Sequence, residues 1–360
     1  MRKVKVAING YGVIGKRVAD AVAIQNDMEI SGVCEVSSDY RTRTAQGKWF
    51  RIFAPDREIE QQLASSEIRV AGLLDDLLEM SDVVVDCTPK KISTQNAQQY
   101  SRHAVKVVFQ GGEKHETAGH SFVAQANYAS ALGRTMTRVV SCNTTATVRV
   151  LHALDSAGLL LRARGVLLRR ATDPWESHLE GILNTIVPEQ TIPSHQGPDA
   201  KTVMPHLDVV TMACKVPETL GHLHYWFVEL TRRAGRDEVL EAFRRAPRIA
   251  LVRVSDGLVS LNAVKELVSD LGRPRADMWE VALWEDILSI DGTNLYFCQQ
   301  VDNQAIVIPE TIDAIRALSG IEHDARASIS KTDSSLGLVK DFHRSLRGDA
   351  SASNHRTGGA

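Results

Sequence analysis

The chain has 360 residues, 43% of them apolar, and at roughly 150 residues per domain this predicts two domains, each with a core of its own, and excludes a disordered chain. Forty-two Lys and Arg against 44 Asp and Glu leave a net charge of -2, so no charge excess drives the molecule toward nucleic acid or anionic lipid. No apolar run approaches the roughly 18 residues of a membrane span, and the Val4 to Ile8 run is too short for a signal-peptide core. The expectation is a cytoplasmic protein with neither a nucleic-acid nor a membrane partner.

In chain order, the first third alternates short apolar runs with helical stretches. Lys3 to Asn9 reads as a strand, Ile14 to Ile24 as a helix, Met28 to Glu35 as a strand and Asp75 to Met80 as a helix. Asp82 to Cys87 and Val105 to Phe109 read as further strands. Strands separated by helices predict a parallel, doubly wound α/β sheet, because parallel neighbours need a crossover. After Cys142 the pattern changes. Thr144 to Ser156 has helical spacing, and Arg164 to Arg170, Leu207 to Val216, His222 to Leu230, Ile249 to Val254 and Met278 to Ile290 have strand character. The last meets Thr293 to Val301 across the turn signal Asp291-Gly292. This predicts a second, α+β domain with a largely antiparallel sheet. Ile308 to Leu318, with Pro309 in its first turn, is placed to return to the first domain. Residues 346–360 carry no large apolar side chain after Leu346 and are expected to be a disordered tail. The resulting boundaries are 1–141 with 303–345 for a dinucleotide-binding domain and 142–302 for a catalytic domain.

Gly10-Tyr11-Gly12-Val13-Ile14-Gly15 follows a strand and opens a helix, the setting in which GxGxxG binds a dinucleotide. Gly10 permits the turn, Gly12 admits the pyrophosphate and Gly15 allows close helix packing. Glu35 ends the next strand, where a carboxylate can hold ribose hydroxyls. A glycine-rich turn with a solvated glutamate is the bland alternative.

Five cysteines, Cys34, Cys87, Cys142, Cys214 and Cys298, are odd in number and lack a CxxC pair, which argues against disulfides and a zinc site. Cys142 stands between a strand end and a helix start in Val139-Val140-Ser141-Cys142-Asn143-Thr144-Thr145, where a helix N-terminus lowers a thiol pKa and favours the nucleophilic thiolate. A buried inert cysteine is the commoner fate and suits the other four better. In the strand His222, His224, Trp226, Val228, two histidines share one face. One near Cys142 can accept the thiol proton and assist hydride departure; with no third ligand evident, no metal site is expected. Arg169-Arg170 ends a strand, so alternation turns one toward a site and the other to solvent; with His195, Lys201, Thr144 and Thr145 it makes a plausible double anion site.

Ile8-Asn9-Gly10-Tyr11-Gly12, Asp86-Cys87-Thr88-Pro89, Phe109-Gln110-Gly111-Gly112-Glu113-Lys114-His115, Ser141 to Thr145, Arg169-Arg170 and Ser194-His195-Gln196-Gly197-Pro198-Asp199 together resemble the archaeal-type (type II) phosphorylating glyceraldehyde-3-phosphate dehydrogenases, from about Val4 to about Leu338. The resemblance implies a homotetramer that oxidises D-glyceraldehyde 3-phosphate to 1,3-bisphosphoglycerate with NAD or NADP and inorganic phosphate, in glycolysis or gluconeogenesis. It implies a nucleophile at Cys142 and a catalytic base at His222. Cofactor contacts are implied at Val13, Ile14, Gly111, Gly112, Arg169 and Asn303. Substrate or phosphate contacts are implied at Ser141, Cys142, Asn143, Thr144, Arg170, His195 and Gln196. Three positions depart from the family pattern: Glu35 stands where many members have lysine, Gln196 where they have a second histidine, and Asn303 where they have glutamine. Glu35 points to NAD as the preferred cofactor, with NADP tolerated. Two other readings share these residues: a related cysteine-dependent semialdehyde or acyl-phosphate dehydrogenase, and a catalytically silent cofactor-sensing protein.

Overall fold

The computed structural model describes residues 2–110, 112–172 and 185–342. Its contacts divide the chain into two compact units, residues 1–141 with 307–336, and residues 142–306 with the segment from 337.

The first unit is built on eight strands: β1 (Val4–Asn9), β2 (Met28–Cys34), β3 (Ile52–Ala54), β4 (Val70–Leu73), β5 (Val83–Asp86), β6 (Lys106–Phe109), β7 (Ser121–Phe122) and β8 (Met136–Val139). They lie in the order β4-β3-β2-β1-β5-β6-β8-β7, and every pairing is parallel. This is the doubly wound sheet the sequence predicts. β1, β5 and β6 are apolar almost throughout because a parallel sheet is covered on both faces. Val6, Ile8, Val83, Val85 and Val108 are fully buried. Chain order reverses on either side of β1, which makes the carboxyl ends of β1 and β5 the switch point where such sheets bind ligands.

Helix Ile308–Ser319 completes this unit, with Pro309 in its first turn and Gly320 closing it in a left-handed conformation. Its Glu310 accepts the Ala124 N–H at 2.6 Å. Its buried Arg316 is held by Asp27 at 2.8 Å, Gln25 at 2.7 Å and Thr332 at 2.6 Å. A charge as deep as this is tolerable only when its donors are used. Helix Ala325–Leu336, which supplies Thr332, was not foreseen from the sequence.

The second unit carries β9 (Leu160–Arg170), β10 (Val187–Pro188), β11 (Val209–Val216), β12 (His222–Leu230), β13 (Ile249–Val252), β14 (Val281–Trp284), β15 (Ser289–Asp291) and β16 (Asn294–Val301). Their order is β10-β11-β9-β12-β16-β14-β13, with β15 on β16. The sheet is mixed: among the strands of the described residues, β11/β9 and β13/β14 pair parallel and the others antiparallel. The predicted strand from Met278 to Ile290 is two strands interrupted at residues 285–288, and the hairpin turn is Gly292-Thr293, since Asp291 pairs with Asn294. Helix Cys142–Ser156 is buried from Asn143 to Leu151 and beyond. Its Arg149 is anchored on the carbonyls of Trp279 at 2.8 Å and Ile306 at 3.0 Å.

Two boundaries differ from expectation. Residues 303–306 stay with the second unit, because the Asp302 carboxylate accepts the N–H groups of Gln304 at 2.8 Å and Ala305 at 2.9 Å. Residues 337–342 also belong there: Val339 N–H donates to Glu280 at 2.7 Å, Asp341 bridges to Leu251, and Phe342 packs among Ala250, Val252 and Trp284. The tail 346–360 lies outside the described residues.

Candidate active site and cofactor cradle

In the first unit the glycine loop closes over the end of β1. Gly10 has φ +91°, open to glycine at little cost, and its N–H donates to the Cys34 carbonyl at 2.9 Å. A Cβ on Gly15 would lie 1.9 Å from the Gly10 carbonyl oxygen, whereas one on Gly12 would meet nothing within 4 Å. Helix Val13–Ala23 begins at Gly12 with no side-chain cap, so its first-turn N–H groups and its dipole suit an anion. Space at Gly12 and uncapped donors fit a dinucleotide pyrophosphate. Val13 and Ile14 open this helix, at the positions expected to meet it.

Glu35 is engaged rather than solvated. One carboxylate oxygen accepts the Tyr11 N–H at 2.8 Å; the other accepts the Val36 N–H at 2.8 Å and the Ser37 N–H at 3.4 Å. Arg41, which sequence alone left able to swing toward a phosphate, is forked onto Asp39 at 2.9 and 2.5 Å, and Arg43 donates to the Ser66 carbonyl at 3.0 Å. The hydrogen bond from Arg41 holds the Asp39 carboxyl down at about 2.

A network missed in the sequence supports the same loop. Asn9 donates to the Tyr100 hydroxyl at 2.7 Å, and that hydroxyl donates to Asp86 at 2.7 Å. Asp86 also accepts from Thr88 at 2.6 Å and Asn96 at 3.0 Å. No local spacing announces Tyr100, because its partners come from the ends of β1 and β5. Gly112 follows β6 at φ +82° with open space beside it; Gly111 lies outside the described residues.

In the second unit, Cys142 Sγ lies 3.3 Å from His222 Nε2. Cys142 opens its helix and His222 opens β12, and the alternation of β12 buries His222, His224 and Trp226 on one face. The Arg170 N–H donates to His222 Nδ1 at 3.0 Å. With Nδ1 accepting, the neutral ring carries its proton on Nε2 and donates toward sulfur. Burial, with the charges of His224, Arg170 and Arg169, holds His222 well below the usual imidazole range. The expected transfer of the thiol proton to His222 is therefore corrected: this ring is a donor at Nε2.

The expected lowering of the thiol pKa is also corrected. Burial pushes Cys142 up to about 11, outweighing the Arg170 charge, a hydrogen bond from the Asn143 N–H and the Arg169 charge. The helix terminus acts in the expected direction but loses to desolvation. Both arginines exert their charge on Cys142.

His224 donates from Nε2 to Asn143 at 2.8 Å and accepts from Gln299 at 3.3 Å, and burial pushes it down to about 3. This chain fixes the residue next to the cysteine. The Thr144 hydroxyl donates to Asp199 at 2.9 Å, which occupies its side-chain proton. Gln196 is fully buried, with both amide atoms lacking a hydrogen-bond partner among the described residues. Asn303 is partly buried just beyond β16, and Ser141 precedes the helix. Arg169 donates to Glu189 at 2.9 Å, and His195 Nδ1 lies 3.0 Å from the other oxygen of the same carboxylate. Sequence reading missed Glu189, which touches one residue 20 positions back and another six ahead. No cluster of three or more potential metal ligands occurs among the described residues, and none of their helices is long and apolar enough to cross a membrane.

Residues 141–278 match the family described as Glyceraldehyde 3-phosphate dehydrogenase, C-terminal domain, and residues 4–118 the family described as Dihydrodipicolinate reductase, N-terminus. The chain is 43% identical over 336 residues to a protein of Methanobrevibacter smithii named glyceraldehyde-3-phosphate dehydrogenase, covering 93% of this chain and 99% of that one. Relatives of the same name in Methanopyrus kandleri and Archaeoglobus fulgidus are 45% and 43% identical, covering 94% and 95% of this chain and 99% and 100% of theirs.

Proposed function

The chain belongs to the glyceraldehyde-3-phosphate dehydrogenase family, and from that premise we propose that it oxidises D-glyceraldehyde 3-phosphate to 1,3-bisphosphoglycerate with Cys142 as nucleophile and His222 as its partner. The observation that carries the reading is the 3.3 Å approach of Cys142 Sγ to His222 Nε2 at a helix start.

In this reading the thiol loses its proton to solvent, and the Nε2–H of His222 stabilises the thiolate. Attack of sulfur on the aldehyde carbon moves the carbonyl electron pair onto oxygen, and the same N–H stabilises that alkoxide. A bound nicotinamide cofactor supplies the hydride acceptor. Loss of hydride leaves a thioester on Cys142. A phosphate oxygen then attacks the thioester carbon, the acyl phosphate departs and thiolate is restored. Gly10, Gly12, Val13, Ile14, Gly15, Glu35 and Gly112 would hold the cofactor, with NAD preferred. Arg169, Arg170 and His195 would hold the phosphate groups. A homotetramer is supported by the outer face of the second sheet, where Val166, Met212, Tyr225, Phe227 and Tyr296 are all exposed, a patch of the kind that assembly covers. Sedimentation tests that assembly.

The test of function is spectrophotometric. Cofactor reduction is followed with glyceraldehyde 3-phosphate or aspartate semialdehyde, with and without phosphate. Turnover is expected with the former, dependent on phosphate and abolished in Cys142→Ser, whose hydroxyl is a far weaker nucleophile. Preference for the semialdehyde, or turnover by the serine variant, would overturn the proposal.

A further inference from the structure

We propose that Glu189 is a positioning residue for the substrate phosphate, a carboxylate that holds Arg169 and His195 from behind as one anion-binding pair. The inference rests on the functional reading above, in which those two residues meet a phosphate group.

Glu189 is itself well placed. β10 pairs antiparallel with β11, Val187 opposite Lys215 and Pro188 opposite Cys214, and the Glu189 N–H donates to the Ala213 carbonyl at 2.8 Å. The following loop is pinned to the same strand. Ser194 N–H donates to the Thr211 carbonyl at 2.7 Å, the Ser194 hydroxyl to the Thr211 hydroxyl at 2.8 Å, and the Gly197 N–H to that hydroxyl at 2.9 Å. Arg169 comes from β9, directly opposite Lys215 on β11. Three segments thus converge on a shared scaffold, and the Glu189 carboxylate joins them.

The bonding to Glu189 does not use every donor of the pair. Arg169 reaches Glu189 Oε2 through NH1 at 2.9 Å. Its Nε is buried without a hydrogen-bond partner among the described residues. His195 reaches Oε1 through its backbone N–H at 3.4 Å and through Nδ1 at 3.0 Å, so its Nε2 is turned away from Glu189. The carboxylate is the most enclosed of the three, with its side chain 22% exposed against 28% for Arg169 and 57% for His195. When His195 is protonated, Nδ1–H points back to Glu189 and Nε2–H faces outward. Burial pushes the Glu189 carboxyl up, but the hydrogen bonds and charge of His195, with the charge of Arg169, outweigh it and hold the group ionised. One carboxylate bonded to both side chains fixes them before a ligand arrives, so less entropy is lost on binding.

Glu189→Gln keeps the shape but can accept from only one of the two partners. The experiment measures kcat and KM for glyceraldehyde 3-phosphate, unphosphorylated glyceraldehyde and NAD in the parent, Glu189→Gln, Arg169→Ala/His195→Ala and the triple variant, with thermal melting of each. The expected result for Glu189→Gln is a rise of about tenfold in KM for the phosphorylated aldehyde, the scale of one charge-assisted hydrogen bond, exceeding any fall in kcat and any rise in KM for the other two. The triple variant should show no further rise over Arg169→Ala/His195→Ala. An unchanged or lowered KM in Glu189→Gln overturns the proposal, as does a uniform loss on all three ligands with a lowered melting temperature. Additivity in the triple variant shows that Glu189 does not act through the pair. If Arg169→Ala/His195→Ala leaves KM for the phosphorylated aldehyde unmoved, the phosphate assignment itself fails and this proposal with it.

Discussion

Gly12 and Gly15 make opposite demands, and alanine at each separates a glycine that admits a ligand from one that admits the protein's own backbone. At Gly15 a methyl group would sit 1.9 Å from the Gly10 carbonyl oxygen and 2.9 Å from its carbon. Gly10 cannot retreat. Its N–H is bonded to the Cys34 carbonyl at 2.9 Å, and a Cβ there would already be 3.1 Å from the Cys87 backbone. The overlap must be relieved by lifting helix Val13–Ala23 off β1, an overpacking cost of about 1 to 3 kcal/mol. For a unit of this size that is a fall in Tm of about 2 to 12 °C. At Gly12 the backbone has φ -75° and a methyl group meets nothing within 4 Å, so Gly12→Ala should melt with the parent. It should nevertheless weaken NAD by about tenfold or more, because the methyl occupies the space the pyrophosphate needs. Thermal melting and calorimetric titration with NAD measure both effects. A Gly15→Ala protein that melts with the parent, or a Gly12→Ala protein that binds NAD normally, would refute the reasoning.

Two further outcomes are expected. Because the Cys142 thiol is pushed up to about 11, a raised pKa means scarce thiolate at neutral pH, and alkylation by iodoacetamide in the absence of cofactor should climb about tenfold per pH unit from pH 7 toward 10; a plateau below pH 9 would show that burial does not dominate. Arg169→Ala should impair turnover of glyceraldehyde 3-phosphate more than that of glyceraldehyde, by about 1.5 to 3 kcal/mol for a lost charge-assisted contact, and an equal loss on both would move Arg169 to the cofactor.

The fold was legible where a single strand or helix states its own environment. β1, β5 and β6 are buried on both faces and read as continuous apolar runs, and β12 alternates because one face is buried and the other exposed. The short strands β3, β4 and β7 gave no such signal: two to four residues cannot display a period. Met278 to Ile290 read as one strand because its composition is continuous, while the break depends on which neighbours β14 and β15 pair with. The site divides the same way. Cys142 and His222 stand at element starts that the sequence marks. The environment of the pair was not legible, because the desolvation that raises the thiol and the Arg170 N–H that fixes the His222 tautomer arise only from tertiary packing. Glu189 and Tyr100 were invisible for the same reason.

Cofactor choice turns on Glu35, and its geometry sharpens the expectation. Its two oxygens accept backbone N–H groups from Tyr11, Val36 and Ser37, which fixes a negative charge beside the glycine loop, where the adenosine ribose of a dinucleotide is expected. A ribose hydroxyl can donate to such a carboxylate. A 2′-phosphate meets like charge, at a cost that reaches about 1.4 kcal/mol, or tenfold in affinity, in a partly desolvated site. The nearby cations offer little relief, since Arg41 is bound to Asp39 and Arg43 to the Ser66 carbonyl. NAD should therefore give the higher kcat/KM. Glu35→Gln separates charge from shape, because its amide oxygen can still accept the Tyr11 N–H; it should move the NAD to NADP ratio toward NADP while keeping most NAD turnover. Glu35→Lys should move it further and also weaken NAD, because the loop loses its acceptor. A parent that prefers NADP, or a Glu35→Gln ratio identical to the parent's, would remove Glu35 as the discriminator.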